Sequence, residues 1–300
     1  MARVESRLAE LLPPADAEPV RVHEAMRYAA LAPGKRIRPA LTLATAAIFD
    51  VSNAPVLDLA CAVELVHACS LVLDDLPSMD DAKLRRGRPA THLEFGEDVA
   101  ILAAFALLNR GYELVAEAAH DLALARAGAA DLVHRLTRAV STSGLIGGQA
   151  LDLAGNPATA TLADLESIHS RKTGALFVAA AELGALAADA RRKDLEAIAS
   201  FAKNLGLAFQ IEDDLLDALA TPAETGKDAG QDAGKTTFVS LLGVEGARSL
   251  ADELLAFAVD SLAPLGRKAE PLRALAEFVG AAGRPRPAGS AGHGAPSDGR

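Results

Sequence analysis

The chain has 300 residues, half of them apolar, with a formal net charge of −10, no Trp and two Tyr. The acidic balance excludes non-specific nucleic-acid binding, which needs a basic surface. An anionic substrate would therefore have to be drawn in locally, by a metal and by placed Lys and Arg. The wealth of Ala and Leu, with few aromatics, favours helix over sheet.

In chain order, Val4 to Leu12 reads as a short amphipathic helix stopped by Pro13-Pro14, and Val20 to Leu31 as a second, ended by Pro33-Gly34. GKRIRP, from Gly34 to Pro39, is a basic loop, with Pro39 suited to the first position of a helix reaching about Phe49. A helix N-terminus preceded by Lys35, Arg36 and Arg38 is a ready anion site. On its own the loop is equally well read as solvated.

The central helix runs from about Ala54 to Asp75. Its last apolar residues (Leu71, Val72, Leu73) deliver Asp74 and Asp75; Pro77, Asp80, Asp81 and then Arg85, Arg86 and Arg88 follow. Four acids within eight residues, beside apolar sequence, are electrostatically costly unless a cation neutralises them. An all-oxygen ligand set suits Mg²⁺, which shares itself with substrate phosphates. The arginines suit the same anion, because a guanidinium grips phosphate oxygens with two parallel hydrogen bonds. The stretch reads as a diphosphate site. His67 lies two turns before Asp74 on the same face, with Ser70 between them. A satisfied core histidine is the alternative, and the alignment with the acids favours a diphosphate-contacting role.

Cys61 and Cys69, eight positions apart on one helix, are about 12 Å apart along its axis, too far for a disulfide. A reducing compartment follows, and the expectation is a soluble cytoplasmic protein. No signal peptide opens the chain, and charge interrupts each apolar run before about 18 residues.

Phe95 to Ala119 reads as helix, almost free of charge from Val99 to Leu108, which predicts an inner helix buried on most sides. Asp131 to Ser143 is another, followed by GLIGGQALDL. There Gln149 and Asp152 are either a buried hydrogen-bonded pair or cavity-facing groups. Thr161 starts a helix with Glu166 nearby, and RKTGALF places Lys172 and Thr173 at a glycine that kinks or thins it. Asp194 to Leu219 ends in FQIEDDLLD, where Asp213 and Asp217 share a face and Gln210 lies one turn before Asp213. A solvated acidic helix end is the alternative for that segment. TGKDAGQDAGKTT, from Thr225 to Thr237, is a Gly-rich loop with Lys227 and Lys235 among Asp228 and Asp232; it is no P-loop, because no strand precedes it. Helices over Phe238 to Leu262 and Arg267 to Gly280 close a single domain, residues 1–282. The Gly, Pro, Ala and Ser of residues 283–300 predict a disordered tail. No period-2 strand pattern or internal repeat occurs.

The one symmetry is chemical. Two helices about 140 residues apart each end in an Asp-Asp pair with a third acid and then basic residues. In this the chain resembles the all-helical trans-isoprenyl diphosphate synthases, from about Arg21 to Leu275. The motifs GKRIRP, DDLPSMD, LRRGRP, GGQALDL, KTGAL, FQIEDDLLD and GKDAGQDAGK occur in that family's order. Within the family it is most similar to the geranylgeranyl diphosphate synthases of bacterial carotenoid pathways. LVLDDLPSMDDA with its two-residue insertion, VAILAAFALLN, TGKDAGQDAGKTT and the lack of an aromatic just before the first Asp pair carry that likeness. Many relatives have a His where Leu73 stands and an Asp near Phe105, and the carotenoid-type branch shares similar departures. The C-terminal basic residue expected near the allylic site is not recognisable in this tail.

The resemblance implies an all-α, single-domain bundle with a central cavity, about ten or more helices, and a homodimer. It implies that Asp74 and Asp80 bind two Mg²⁺ ions and Asp213 a third, with Asp75, Asp214 and Asp217 supporting through waters. Arg85, Lys172, Thr173, Gln210, Lys227 and Lys235 would hold an allylic diphosphate, and Lys35, Arg38, His67 and Arg86 the homoallylic isopentenyl diphosphate. Asp74, Asp80, Arg85, Lys172, Asp213 and Lys227 would carry catalysis. In the family an aromatic five positions before the first Asp is a common floor that limits product length. Here Cys69 and then Ser70 stand there, so the floor would lie deeper, with Phe105 the next candidate. The implied activity is consecutive condensation to a twenty-carbon product. Rivals are a farnesyl diphosphate synthase, a class I terpene cyclase and a non-catalytic regulatory subunit.

Overall fold

An apolar helix too hydrophobic to sit on a surface forms the axis of the fold. In the computed structural model, which describes residues 1–122, 124–219 and 236–282, this helix is α4 (Ala54–Asp74), preceded by α1 (Ala2–Leu11), α2 (Val20–Ala30) and α3 (Ile37–Ala47). A two-residue hairpin, β1 (Leu84–Arg85) with β2 (Arg88–Pro89), leads to α5 (Thr91–Phe95) and α6 (Glu97–Asp121). Then come α7 (Ala129–Val140), α8 (Leu145–Ala154), α9 (Leu162–His169), a π-helical turn (Ser170–Gly174) and α10 (Ala175–Ala187). The long α11 (Arg192–Leu219), α12 (Phe238–Ser261), a 3₁₀ turn (Ala263–Ala269) and α13 (Glu270–Ala282) complete the bundle. Lys227, Lys235 and residues 283–300 lie outside the described residues.

α4 starts at Asn53, whose side chain accepts the Val56 N–H at 3.1 Å. It packs against α1, α2, α3, α6 and α10 and is buried on nearly every side. By length and composition α4 and α6 are each long and apolar enough to cross a membrane, although charges interrupt both. In α4 those charges, Asp58 and Glu64, are matched by Arg7 and Arg36, and 67% of its apolar stretch lies inside the bundle, which marks a core helix.

Two sequence expectations need correction here. Gly96, with φ of 93°, breaks the helix predicted from Phe95, so α5 and α6 are separate. α6 is not buried on most sides either. Its inner face is small (Ala100, Ala103, Ala104, Gly111), and a Cβ on Gly111 would lie 2.9 Å from Val66 Cγ2, so the backbone runs close to α4. Its outer face leaves Ile101, Leu102 and Phe105 exposed, Phe105 by 62%. The absence of charge reflects two apolar faces, only one of them covered. The hairpin was also unforeseen: two residues per strand are too few for a period. Arg86 and Gly87 form its turn, both with positive φ (55° and 75°), as a tight hairpin turn requires.

A second apolar cluster joins Leu165 of α9, Leu207, Ile211 and Leu215 of α11, and Phe238, Ala247 and Ala251 of α12. It anchors the half of α11 that carries the second Asp pair.

Candidate active site

At the end of α4 the chain doubles back. The Asp80 N–H donates to the Asp74 carbonyl at 2.9 Å and the Asp81 N–H to Leu76 at 3.0 Å, which returns Asp80 to the neighbourhood of Asp74. The two adjacent acids then part. Asp75 is buried and gripped by Arg85, whose Nε donates to its two oxygens at 3.0 and 3.2 Å while Nη2 adds a further bond. Asp74, the last residue of α4, keeps company with Asp80 and Lys172. Burial pushes its carboxyl up to about 6, Asp80 and Asp75 push the same way, and Lys172 and Arg85 oppose them. The negative end of the helix dipole adds to the cost of its charge.

Lys172 comes from the π-helical turn that Gly174 closes. Its Nζ lies 2.6 Å from Asp152 Oδ2 on α8. Burial works against the ammonium, but Asp74, Asp152 and Asp80 outweigh it and hold its pKa above the ordinary lysine range. Gly148 makes this possible. A Cβ there would stand 2.2 Å from the Lys172 backbone nitrogen, so α8 meets the turn backbone to backbone. Gln149 and Asp152 thus form no pair with each other: Asp152 serves Lys172, and the buried Gln149 turns its Nε2 toward Met79 Sδ at 4.0 Å.

Across the site, the second Asp pair is seated by a relay. Thr173 Oγ1 donates to Gln210 Oε1, Gln210 Nε2 to Asp214 Oδ1, and the Phe238 N–H to Asp214 Oδ2, each at 3.0 Å. Asp214 therefore faces the positive start of α12, where a carboxylate is favoured. Asp213 lies 3.8 Å from Lys35 Nζ, which also stands 5.4 Å above the Phe209 ring. Asp217 is half-buried one turn further on.

The basic residues divide by burial. Arg38 is buried over the Phe177 ring at 4.8 Å with no partner for its Nε, and burial draws its guanidinium down to about 10, with Arg86 pushing the same way and Glu64 and Asp213 opposing. Arg86 packs on Gly34 and donates to the Ala32 carbonyl at 3.1 Å. His67 is held well below its ordinary pKa by burial and then by Arg38, Arg86, Arg85 and Arg36. Its ring lies among guanidiniums. Arg38, Arg86 and His67 lie close enough to act on one another, and Lys35 stands at Asp213, which also acts on Arg38. Arg36 does not join them: it turns inward to Glu5 and Glu64. Arg88 stacks 3.8 Å over Tyr28. Asp152, absent from the sequence-based site, was signalled only as a polar residue in apolar company.

Cys69 is buried, and burial, with Asp74 adding, pushes its thiol up to about 12. Ser70 spends its hydroxyl on the His67 carbonyl at 2.9 Å. Phe105 is a correction: it lies on the outer face of α6, so it forms no floor beside α4 within this chain.

The donor set fits a divalent cation. Asp74 and Asp80 are hard oxygen donors whose charges burden each other. Hard oxygen donors suit Mg²⁺, an ion that fills the rest of its shell with water and phosphate, and among the described residues no three acidic, His or Cys side chains converge on one point. Two acidic helix segments with basic side chains beside them, in a helical bundle, make up the site. The chain belongs to the polyprenyl synthetase family, which it matches over residues 19–260. It is similar to geranylgeranyl pyrophosphate synthase 11, chloroplastic, of Arabidopsis thaliana, 42% identical over 268 residues, covering 87% of this chain and 75% of that protein. A geranylgeranyl pyrophosphate synthase of Catharanthus roseus is 41% identical over 266 residues, 87% of this chain and 74% of its own. Among solved structures, an FPP/GFPP synthase from Zymomonas mobilis superposes with a TM-score of 0.79 at 36% identity, over 92% of this chain and 94% of that one. A geranyltransferase from Helicobacter pylori, complexed with magnesium and isoprenyl diphosphate, gives 0.78 at 28% identity, over 93% of each chain.

Proposed function

We propose that this chain is a trans-prenyltransferase that condenses isopentenyl diphosphate with dimethylallyl, geranyl and farnesyl diphosphates and releases geranylgeranyl diphosphate. The observation that carries the reading is the placement of two acidic helix segments beside basic side chains, Lys172 and Arg85 at the first Asp pair and Lys35 at the second. Asp74 and Asp80 on one side and Asp213 on the other would hold Mg²⁺, three ions in this reading, which when bound would supply charge that stabilises the departing diphosphate. Lys172, fixed by Asp152 and by the backbone contact at Gly148, holds the allylic diphosphate with Arg85. Gln210 and Thr173 orient Asp214 beneath it. Lys35, Arg38 and Arg86, with neutral His67 as hydrogen-bond partner, hold the isopentenyl diphosphate. The allylic carbon–oxygen bond breaks to leave an allylic carbocation and diphosphate, the isopentenyl double bond attacks that cation, and the proton then lost passes to the released diphosphate. The apolar lining keeps water from the cation. No side-chain nucleophile is required.

The twenty-carbon product is supported by the geranylgeranyl synthases among the relatives and by the small residue at Cys69. The carotenoid-type reading of LVLDDLPSMDDA points the same way. A homodimer through the exposed apolar face of α6 fits Ile101, Leu102 and Phe105. Two buried, unpaired thiols suit a reducing compartment such as the cytoplasm. The test is chain-length analysis of the product formed from labelled isopentenyl diphosphate with each primer and Mg²⁺. Twenty carbons are expected. A fifteen-carbon end product would make this a farnesyl diphosphate synthase, and no incorporation with any primer would overturn the reading.

A further inference from the structure

One buried cation of the GKRIRP loop plays no part in this chemistry. Arg36, at φ 49°, is only 3% exposed, in a backbone conformation that residues other than Gly seldom adopt. Its Nε donates to Glu5 Oε1 at 2.8 Å and its Nη2 to Glu5 Oε2 at 3.2 Å. Its Nη1 donates to Glu64 Oε1 of α4 at 2.5 Å, and Nη2 also reaches the carbonyls of Ala30 (3.0 Å) and Ala32 (2.8 Å). The Ala32 carbonyl is shared: Arg86 Nη1 donates to it as well. Lys35 precedes Arg36 and Arg38 follows two residues later. The Glu-bound arginine therefore fixes the loop whose neighbouring Lys35 and Arg38 are the candidate ligands, and it touches Arg86 through one common acceptor.

We propose that Glu5 and Arg36 are positioning residues for the isopentenyl diphosphate subsite, the Glu5–Arg36–Glu64 cluster setting the loop conformation that presents Lys35, Arg38 and Arg86. The proposal rests on the prenyltransferase reading above. Simple attachment of α1 to the bundle is the competing explanation, and α1 has other fastenings. Arg7 binds Asp58 of α4 through Nε at 2.7 Å and Nη2 at 3.0 Å, Val4 and Leu8 are fully buried, and Arg27 donates to the Ala9 carbonyl at 3.0 Å. Attachment needs no acid at Glu5. A fixed Arg36 does.

The test is calorimetric titration of the full chain with isopentenyl diphosphate alone, and separately with geranyl diphosphate and Mg²⁺. Wild type is compared with Glu5→Gln, Arg36→Lys and the control Arg7→Ala, with thermal midpoints recorded for each. Glu5→Gln and Arg36→Lys are expected to weaken isopentenyl diphosphate binding roughly tenfold and leave geranyl diphosphate within about twofold, because displacement of a positioned group by about 1 Å is costly. Arg7→Ala is expected to lower the midpoint and leave both affinities unchanged. The half-exposed, isosteric Glu5→Gln keeps the test decisive if Arg36→Lys does not fold. Wild-type affinity for isopentenyl diphosphate in Glu5→Gln, or equal weakening of both ligands, would overturn the inference while the function stands. A wild-type chain that binds no isopentenyl diphosphate would overturn both.

Discussion

Asp74 and Asp75 end a helix, whereas Asp213 and Asp214 lie inside one, and the surroundings of the two pairs differ accordingly. At the first pair, burial, the negative end of α4 and neighbouring acids all oppose ionisation of Asp74, whose carboxyl rises to about 6. Asp75 is turned away into Arg85. At the second pair, Asp214 has a donor on each oxygen, one of them the Phe238 N–H at the favourable end of α12. Motifs that spell alike therefore carry different electrical loads. At the first seat burial and neighbouring acids outweigh Lys172 and Arg85, and a divalent cation would relieve Asp74 of that load.

The sharpest way to break this comparison is to remove one carboxylate from each seat. Asp74→Ala and Asp213→Ala should each cut turnover by roughly 10²–10³ with the fold intact, the usual scale for a lost electrostatic contact to a leaving group. Near-normal turnover of either variant at saturating Mg²⁺ would contradict the metal assignment. A smaller effect separates the two diphosphate subsites. Lys172→Ala should raise the KM for the allylic primer, and Arg38→Ala that for isopentenyl diphosphate, by about tenfold or more, as for a lost charge-assisted hydrogen bond. Equal effects of each variant on both substrates would show the two subsites to be wrongly divided.

Gly148→Ala attacks the first seat without removing a charge. Its new Cβ would fall 2.2 Å from the Lys172 nitrogen. Overpacking of this kind costs about 1–3 kcal/mol, so a lower thermal midpoint and a raised allylic KM are expected together. A fall in midpoint with the KM unchanged would mean that Lys172 keeps its place when α8 shifts. The smallest energetic change is in product length. Cys69→Tyr should move the main product from twenty to fifteen carbons while retaining much of the first condensation, since about 1.4 kcal/mol already changes a product ratio tenfold. An unchanged product distribution from the folded, active variant would place the floor elsewhere.

The parts of the site that were legible in the sequence are those where residue type and helical spacing carry the meaning. The apolar run into Asp74 and the glycine after Thr173 that marks an irregular helix were readable, whereas Gln210, one turn before Asp213 in sequence, bonds Asp214. What escaped depended on which way a side chain turns. Arg36 and Arg38 are two residues apart in one basic loop, and only the left-handed backbone at Arg36 sends it to Glu5 and Glu64. Arg88 stands with Arg85 and Arg86, yet it stacks on Tyr28. Asp152 lies three residues from Gln149 and pairs with Lys172, twenty residues away. Phe105 sits in a stretch without charge and faces outward. Each was decided by tertiary placement, which local pattern does not encode.

The claim that a divalent cation relieves Asp74 of its load has a direct test. A folded pKa near 6, above the ordinary 3.8, means that protonated Asp74 contributes stability that is complete below about pH 3.8 and is lost as the pH rises through about 6. Above that, its ionisation costs the cation-free protein on the order of 1–3 kcal/mol. Asp74→Asn removes that cost and also removes the cation's ligand. The measurement is the thermal midpoint of wild type and Asp74→Asn at pH 8, with and without Mg²⁺ and inorganic diphosphate. The account predicts a crossover: Asp74→Asn is the more stable without the ions, and wild type is the more stable with them. Wild type more stable in both conditions, or an equal rise in both proteins when the ions are added, would contradict it.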